Sequence, residues 1–81
     1  MSELSRLRWR CRRGMLELDI LLGTFLDNGY LEVSQEVQTA FEKLLTYQDQ
    51  RLQDLLFGDE QEDEARIADV IQRIKDQPPT S

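Results

Sequence analysis

The sequence predicts an all-α fold, a single small bundle of about five short helices, and three observations predict it. Apolar residues recur at i, i+3, i+4 and i+7 through most of the chain, the spacing of one helix face. No segment alternates apolar and polar residues with period two, so no half-buried strand is expected. Gly, Asn, Ser and Asp interrupt the helical pattern at short intervals, which implies tight connections. The helical domain is expected over residues 1–76, with 77–81 as a flexible tail.

Each element has its own signal. A short first helix, capped by Ser2 or Ser5, places Leu4, Leu7 and Cys11 on one side, with Trp9 and the arginines over the rest. A second runs from about residue 14 to 28 on Met15, Leu18, Leu22, Phe25 and Leu26, and Asn28-Gly29 is expected to stop it in the left-handed region. Gly23 lies inside that pattern at a cost of about 1 kcal/mol relative to alanine. A tight helix crossing there is the expected compensation. Tyr30, Leu31 and Val33 are expected to plug one end of the core.

Ser34 caps a third helix, in which Val37, Ala40, Phe41, Leu44 and Leu45 match the amphipathic template. Asp49 caps a short fourth helix bearing Leu52, Leu55, Leu56 and Phe57, which stops at Gly58. The acidic run at 59–64 loads negative charge onto the start of a fifth helix, where the dipole favours it. Ile67, Val70, Ile71 and Ile74 form that helix's buried stripe.

Composition narrows the function classes. The 81 residues suffice for one domain with a thin core, since a chain near this size buries only about 60% of its unfolded surface. With 40% hydrophobic and 32% charged residues the balance is globular rather than disordered. The longest uncharged apolar run, residues 20–26, is too short for a bilayer, which takes about 20 residues, so no membrane insertion is expected. The N-terminus has a basic helix pattern without an apolar signal region, and the single cysteine excludes an internal disulfide. A cytoplasmic location is expected.

The net charge of -6 is unevenly spread. Residues 1–14 hold five arginines against Glu3 and carry +4, whereas the remaining 67 residues carry -10. A basic arm on an acidic body can bind nucleic acid, fold back on the body or meet an acidic partner. The overall acidity argues against non-specific nucleic-acid binding along the whole surface.

Catalytic readings fare badly, and no enzyme is expected. The chain has no histidine, the commonest general base and neutral metal ligand, and one cysteine cannot build a zinc site. No phosphate-binding glycine motif is present. Asp59 and Asp63 lack calcium-loop spacing and read as a solvated helix start, so no metal is expected. Cys11 is either activated by Arg8, Arg10 and Arg12 or a small buried hydrophobe; without a base or resolving thiol, burial is favoured. Trp9 either covers the core or stands exposed as an interface anchor.

The remaining candidate is the stretch at 9–19, where the basic arm meets the second helix. Gly14 permits φ > 0 or a close backbone approach. Glu17 falls in the first turn, where free N–H groups favour a carboxylate. Arg13 and Glu17 are expected to stand close together on either side of Gly14. The group is either a charged, backbone-exposed contact feature or local chemistry, with Glu17 capping its own helix, Gly14 a hinge and Arg13 solvated.

The segment Trp9-Arg10-Cys11-Arg12-Arg13-Gly14-Met15-Leu16-Glu17-Leu18-Asp19 resembles the RGxxE signature of the succinate dehydrogenase assembly factors that promote flavinylation. The likeness extends over most of the chain, through Leu44-Leu45 and the run Asp49, Leu52, Leu55, Leu56, Gly58, although Leu16 stands where other members carry a charged or polar residue. The resemblance implies a five-helix chaperone rather than an enzyme, and with no transit sequence a bacterial one. Its partner would be the flavoprotein subunit of succinate dehydrogenase, and of the related fumarate reductase, with FAD belonging to that client and no cofactor held tightly by the helper. It assigns partner contact to Arg13, Gly14 and Glu17, with Arg6, Trp9, Met15 and Asp19 as further candidates. A monomer is expected, with nucleic acid the competing partner class.

Overall fold

The computed structural model describes residues 3–77. Five helices follow one another: α1 (Glu3–Arg10), α2 (Leu16–Asn28), α3 (Gln35–Leu44), α4 (Asp49–Leu56) and α5 (Ala65–Lys75), with a single 3-10 turn at Tyr30–Glu32. No strand occurs among the described residues. The chain measures 35 × 27 × 25 Å along its principal axes.

Helix α5 is central to the packing: α3 lies along it most extensively, and α4 and α2 also touch it, while α1 packs on α2. The stripe Ile67, Val70, Ile71 and Ile74 is buried throughout. It meets Val37, Ala40, Phe41, Leu44 and Leu45 from α3 and its end, and Leu52, Leu55 and Leu56 from α4, in one continuous core. From the other side come Leu18, Leu22, Phe25 and Leu26 of α2, with Leu7 and Cys11 beneath α1. Phe41 sits in the middle, its ring 4.9 Å from Phe25 and 5.7 Å from Tyr30 between centroids. Tilted pairs at that range add to simple area burial.

Ser34 caps α3 as its position predicts, its hydroxyl accepting from the Val37 N–H at 3.4 Å. Tyr30 plugs the core: its hydroxyl donates to Glu42 at 3.0 Å and its carbonyl accepts from the Gln38 amide at 2.8 Å. Burial, reinforced by the Glu42 carboxylate, pushes the Tyr30 phenol up to about 12.

Several expectations are corrected. Gly29 does not enter the left-handed region, as its φ is −119°. It serves a close approach instead, because a Cβ there would stand 3.0 Å from the Phe25 ring. Gly23 makes no tight crossing: a Cβ built on it meets nothing within 4 Å. A cleft between α1 and α2 lies beside it instead. Leu31 is exposed rather than a plug, because the 3-10 turn can bury only one side and Tyr30 takes it. Phe57 is half-exposed, lying just past the last turn of α4.

Gln48, without a side-chain bond, takes the cap position of α4, and Asp49 becomes its first residue. Ser5 lies within α1, and Ser2 is outside the described residues. The acidic run precedes α5 as a loop and leaves no acid in the helix's first turn. Gln77 is tied down, its amide donating to the Leu21 and Ile74 carbonyls at 3.2 and 3.1 Å. The rest of the expected tail lies outside the described residues.

Candidate functional site

The connection between α1 and α2 is a knuckle built from one left-handed residue. Beyond Arg10 the chain tightens, with Cys11 N–H bonding to Leu7 O at 3.0 Å and Arg12 N–H to Trp9 O at 3.1 Å. Gly14 then takes φ +77°, the only positive φ among the described residues. An L side chain there is strained, although the space above it is open.

Asp19 holds the knuckle. Its two carboxylate oxygens accept from the backbone N–H groups of Arg13 at 2.7 Å and Gly14 at 3.1 Å. One carboxylate thereby satisfies two donors just ahead of α2, where charge on the acceptor strengthens the bonds. Met15 starts the helix in extended conformation without a side-chain cap, and its own side chain packs partly into the core.

The expected pairing of Arg13 with Glu17 does not form. The Arg13 side chain is 14% exposed and reaches across to the end of α3. Its guanidinium donates to the Leu45 carbonyl, to the Tyr47 carbonyl at 3.1 Å and to the Asp49 carboxylate at 3.1 Å. A further bond runs to the Arg10 carbonyl at 3.0 Å. The physical reason is the number of acceptors. A five-donor fork finds three carbonyls and a carboxylate at the negative end of a helix, against a single carboxylate in water beside Glu17. Arg13 is thus neither solvated nor an outward charge.

Glu17 stays in the first turn of α2, exposed and without a hydrogen bond or ion pair among the described residues. The helix dipole favours its charge, but it caps nothing. Trp9 is 66% exposed, with the Arg12 guanidinium 5.2 Å from the ring centroid. Leu16, 74% exposed, and Ile20 continue an apolar surface along α2. Arg6 is exposed on α1, one turn from the Trp9–Arg12 pair. The structure thus leaves Gly14, Glu17 and Trp9 each exposed, directs Arg13 and Asp19 into support, and leaves Met15 between.

Sequence reasoning expected Leu16 to make the contact feature more apolar, and its exposure agrees, but it missed Ile20 as a surface residue and Asp19 as the knuckle's clamp. The signal for Asp19 was a carboxylate five residues beyond a glycine that needs positive φ. For Ile20 it was its place beside, rather than on, the Leu18, Leu22, Phe25 stripe.

Between α1 and α2 a cleft of about 350 Å³ is lined by Arg8, Cys11, Arg12, Asp19, Ile20 and Gly23. Arg8 bridges its far side to Asp27. The thiol of Cys11 is buried beneath it. Burial pushes Cys11 up to about 11, and the nearby Arg13 and Arg8 only partly pull it back. A nucleophilic thiolate needs the opposite balance, so the buried reading of Cys11 stands. No group of three or more Cys, Asp or Glu able to hold a metal ion occurs among the described residues. No helix there is long and apolar enough to cross a membrane.

Fold and surface together define a small all-α protein that exposes aromatic, aliphatic and charged groups on α1, α2 and the glycine knuckle that joins them. Such a surface suits contact with another macromolecule. The chain belongs to the family described as flavinator of succinate dehydrogenase, whose family model matches residues 5–78. It is 44% identical over 70 residues to a FAD assembly factor SdhE of Colwellia psychrerythraea, covering 86% of this chain and 77% of that one. With the FAD assembly factor SdhE of Legionella pneumophila (strain Paris) it shares 42% identity over 73 residues, 90% of this chain and 91% of the other. The factor of the same name from Idiomarina loihiensis is 39% identical over 71 residues, 88% and 79% of the two chains. No solved structure matches the chain at a significant level.

Proposed function

We propose that this protein is a non-catalytic assembly factor that binds the flavoprotein subunit of succinate dehydrogenase, and of fumarate reductase, and promotes covalent attachment of FAD to it. The observation that carries the reading is the Gly14 knuckle. It is held in left-handed conformation by Asp19 and braced from behind by Arg13, with Glu17 unpaired and Trp9 exposed at the surface. Family membership supports the same reading. The chain holds no histidine, which is consistent with a flavin-accepting histidine that belongs to the client.

In this reading Gly14 admits close backbone approach, Glu17 meets a donor on the flavoprotein, and Trp9, Met15 and Arg6 widen the contact. Asp19 and Arg13 act from behind, keeping the knuckle in shape. The helper holds the client's domains so that flavin and histidine meet, and positioning of this kind is worth several kcal/mol without any proton transfer by the helper. The FAD stays with the client.

The test co-expresses the flavoprotein with Glu17→Ala or Gly14→Arg helper and measures flavin fluorescence of the denatured flavoprotein band. A strong loss of covalent flavin with either variant is expected. Normal flavinylation with either overturns the site assignment. Nucleic-acid binding through the arginine arm predicts instead an affinity for RNA or DNA that falls steeply with salt.

A further inference from the structure

The outward face of α2 carries Leu16, Ile20, Gly23 and Asp27 at successive turns, alongside α1. Asp27 is engaged by Arg8 at one end, and Leu16 follows closely on Gly14 at the other. Between them the α1–α2 cleft has Ile20 and Gly23 on its α2 side and Arg8 and Arg12 on its α1 side.

Gly23 is unexplained by the chain's own packing. A glycine inside a helix weakens it relative to alanine, through the greater freedom it loses on folding. Its φ is not positive, and a Cβ on it would meet nothing within 4 Å. Neither backbone conformation nor internal approach requires glycine, so the room above it is available to something external.

The cleft's rim indicates what enters. Arg12, which lines the cleft, stacks on Trp9 and has no carboxylate partner among the described residues. With Arg8 engaged by Asp27 and both Asp19 oxygens held by the knuckle N–H groups, Arg12 is the unpaired charge of the lining and attracts a carboxylate, and the half-exposed Ile20 offers an apolar seat beside it.

Resting on the assembly-factor reading above, we propose that the α1–α2 cleft receives an acidic segment of the flavoprotein subunit that carries one aliphatic side chain. That side chain lies over Gly23 against Ile20, and a flanking carboxylate pairs with the Arg12 guanidinium. A small anchor filling a pocket beside a charged rim is a common way for one short segment to dominate binding. Through Arg12 and Asp19 the cleft adjoins the knuckle, so one partner covers both.

The test measures the affinity of the full chain for the apo-flavoprotein subunit by calorimetry, with thermal unfolding followed alongside. Gly23→Leu fills the cleft and is expected to raise Kd about tenfold or more while Tm stays at or above that of the wild type. Gly23→Ala is expected to raise Tm by a few degrees, about 4 °C for a domain this size. Arg12→Glu changes an exposed side chain and is expected to raise Kd about tenfold and to flatten its salt dependence. If Gly23→Leu and Arg12→Glu bind like the wild type while Gly14→Arg does not, the cleft is overturned and the assembly-factor reading survives. If the wild type itself does not bind the flavoprotein, both fall.

Discussion

Two charged connections lean on the turn between α3 and α4, and they do so with opposite signs. The connection at 11–15 sends in a cation, Arg13, which grips the Leu45 and Tyr47 carbonyls and the Asp49 carboxylate. The connection at 57–64 sends in an anion, Glu62. It accepts from the Tyr47 hydroxyl at 2.9 Å, from Arg51 at 3.1 Å and from the Glu64 N–H at 3.1 Å. Tyr47 therefore serves both, through its backbone on one side and its hydroxyl on the other. In each loop one inward charge imposes order on neighbours that stay in water.

What remains outside differs. Around 57–64 it is mostly solvated charge, Asp59, Glu60 and Asp63, with Phe57 half-exposed at the edge. Around 11–15 it is Trp9, Leu16 and Ile20 beside a glycine in the left-handed region. Charged loops in water need no partner, whereas exposed apolar groups beside a backbone left bare by glycine suit contact with one. The comparison teaches that the same anchoring device serves a connection in one place and a presented surface in the other.

The largest expected effect breaks the comparison at its cationic side. Arg13→Ala leaves the Leu45 and Tyr47 carbonyls without their donor and should lower stability by about 3 kcal/mol, read as a fall in Tm by circular dichroism. Arg13→Lys should recover less than half, since an ammonium cannot reproduce the fork. Asp19→Ala comes next, at about 2 kcal/mol, because two backbone donors lose a charged acceptor. Asp19→Asn should recover part of that, and amide exchange at Gly14 should accelerate in both variants.

Glu62→Gln tests the anionic side and should cost about 1 kcal/mol near neutral pH. Burial alone would push the Glu62 carboxyl up. Bonds from Glu64 N–H and the Tyr47 hydroxyl, with Arg51, outweigh it and hold the group below its ordinary value of 4.5. A carboxyl held lower in the folded than in the unfolded state stabilises above the unfolded value. That contribution disappears as pH falls through the folded value. The wild type should therefore lose Tm more steeply than Glu62→Gln on acidification from about pH 5 to pH 3; parallel curves would contradict the anchor. Flavinylation should be unaffected by this variant once folding is restored at low temperature, which separates the two loops.

The smallest stability effect belongs to the residue proposed to matter most for function. Glu17→Ala should change stability by less than about 0.5 kcal/mol, as for other exposed, unpaired positions, while covalent flavin falls strongly. A matching loss of stability would instead make Glu17 a structural group.

The fold was largely legible. Ile67, Val70, Ile71 and Ile74 declare one face by spacing alone, and all four are buried. The same holds for Val37, Ala40, Phe41 and Leu44, and the Ser34 cap was readable because its bond closes within three residues. The candidate site was legible in place but not in arrangement. Gly14 was singled out and does adopt positive φ. Gly29 was read for the same freedom and serves the Phe25 ring instead, since local chemistry cannot distinguish a left-handed glycine from one that makes room.

By itself, then, the sequence determined which helix faces turn inward, because burial of apolar area follows a 3.6-residue period that is written locally. Tertiary structure alone decided which charges turn inward. Arg13 finds Tyr47 34 positions away, and Glu62 finds it across 15. Nearby residues of like character, Asp59 and Glu62 or Arg12 and Arg13, differ only in whether acceptors or donors from elsewhere in the chain stand within reach. A hydrogen bond forms over about 3 Å in space and carries no imprint in the spacing of the chain.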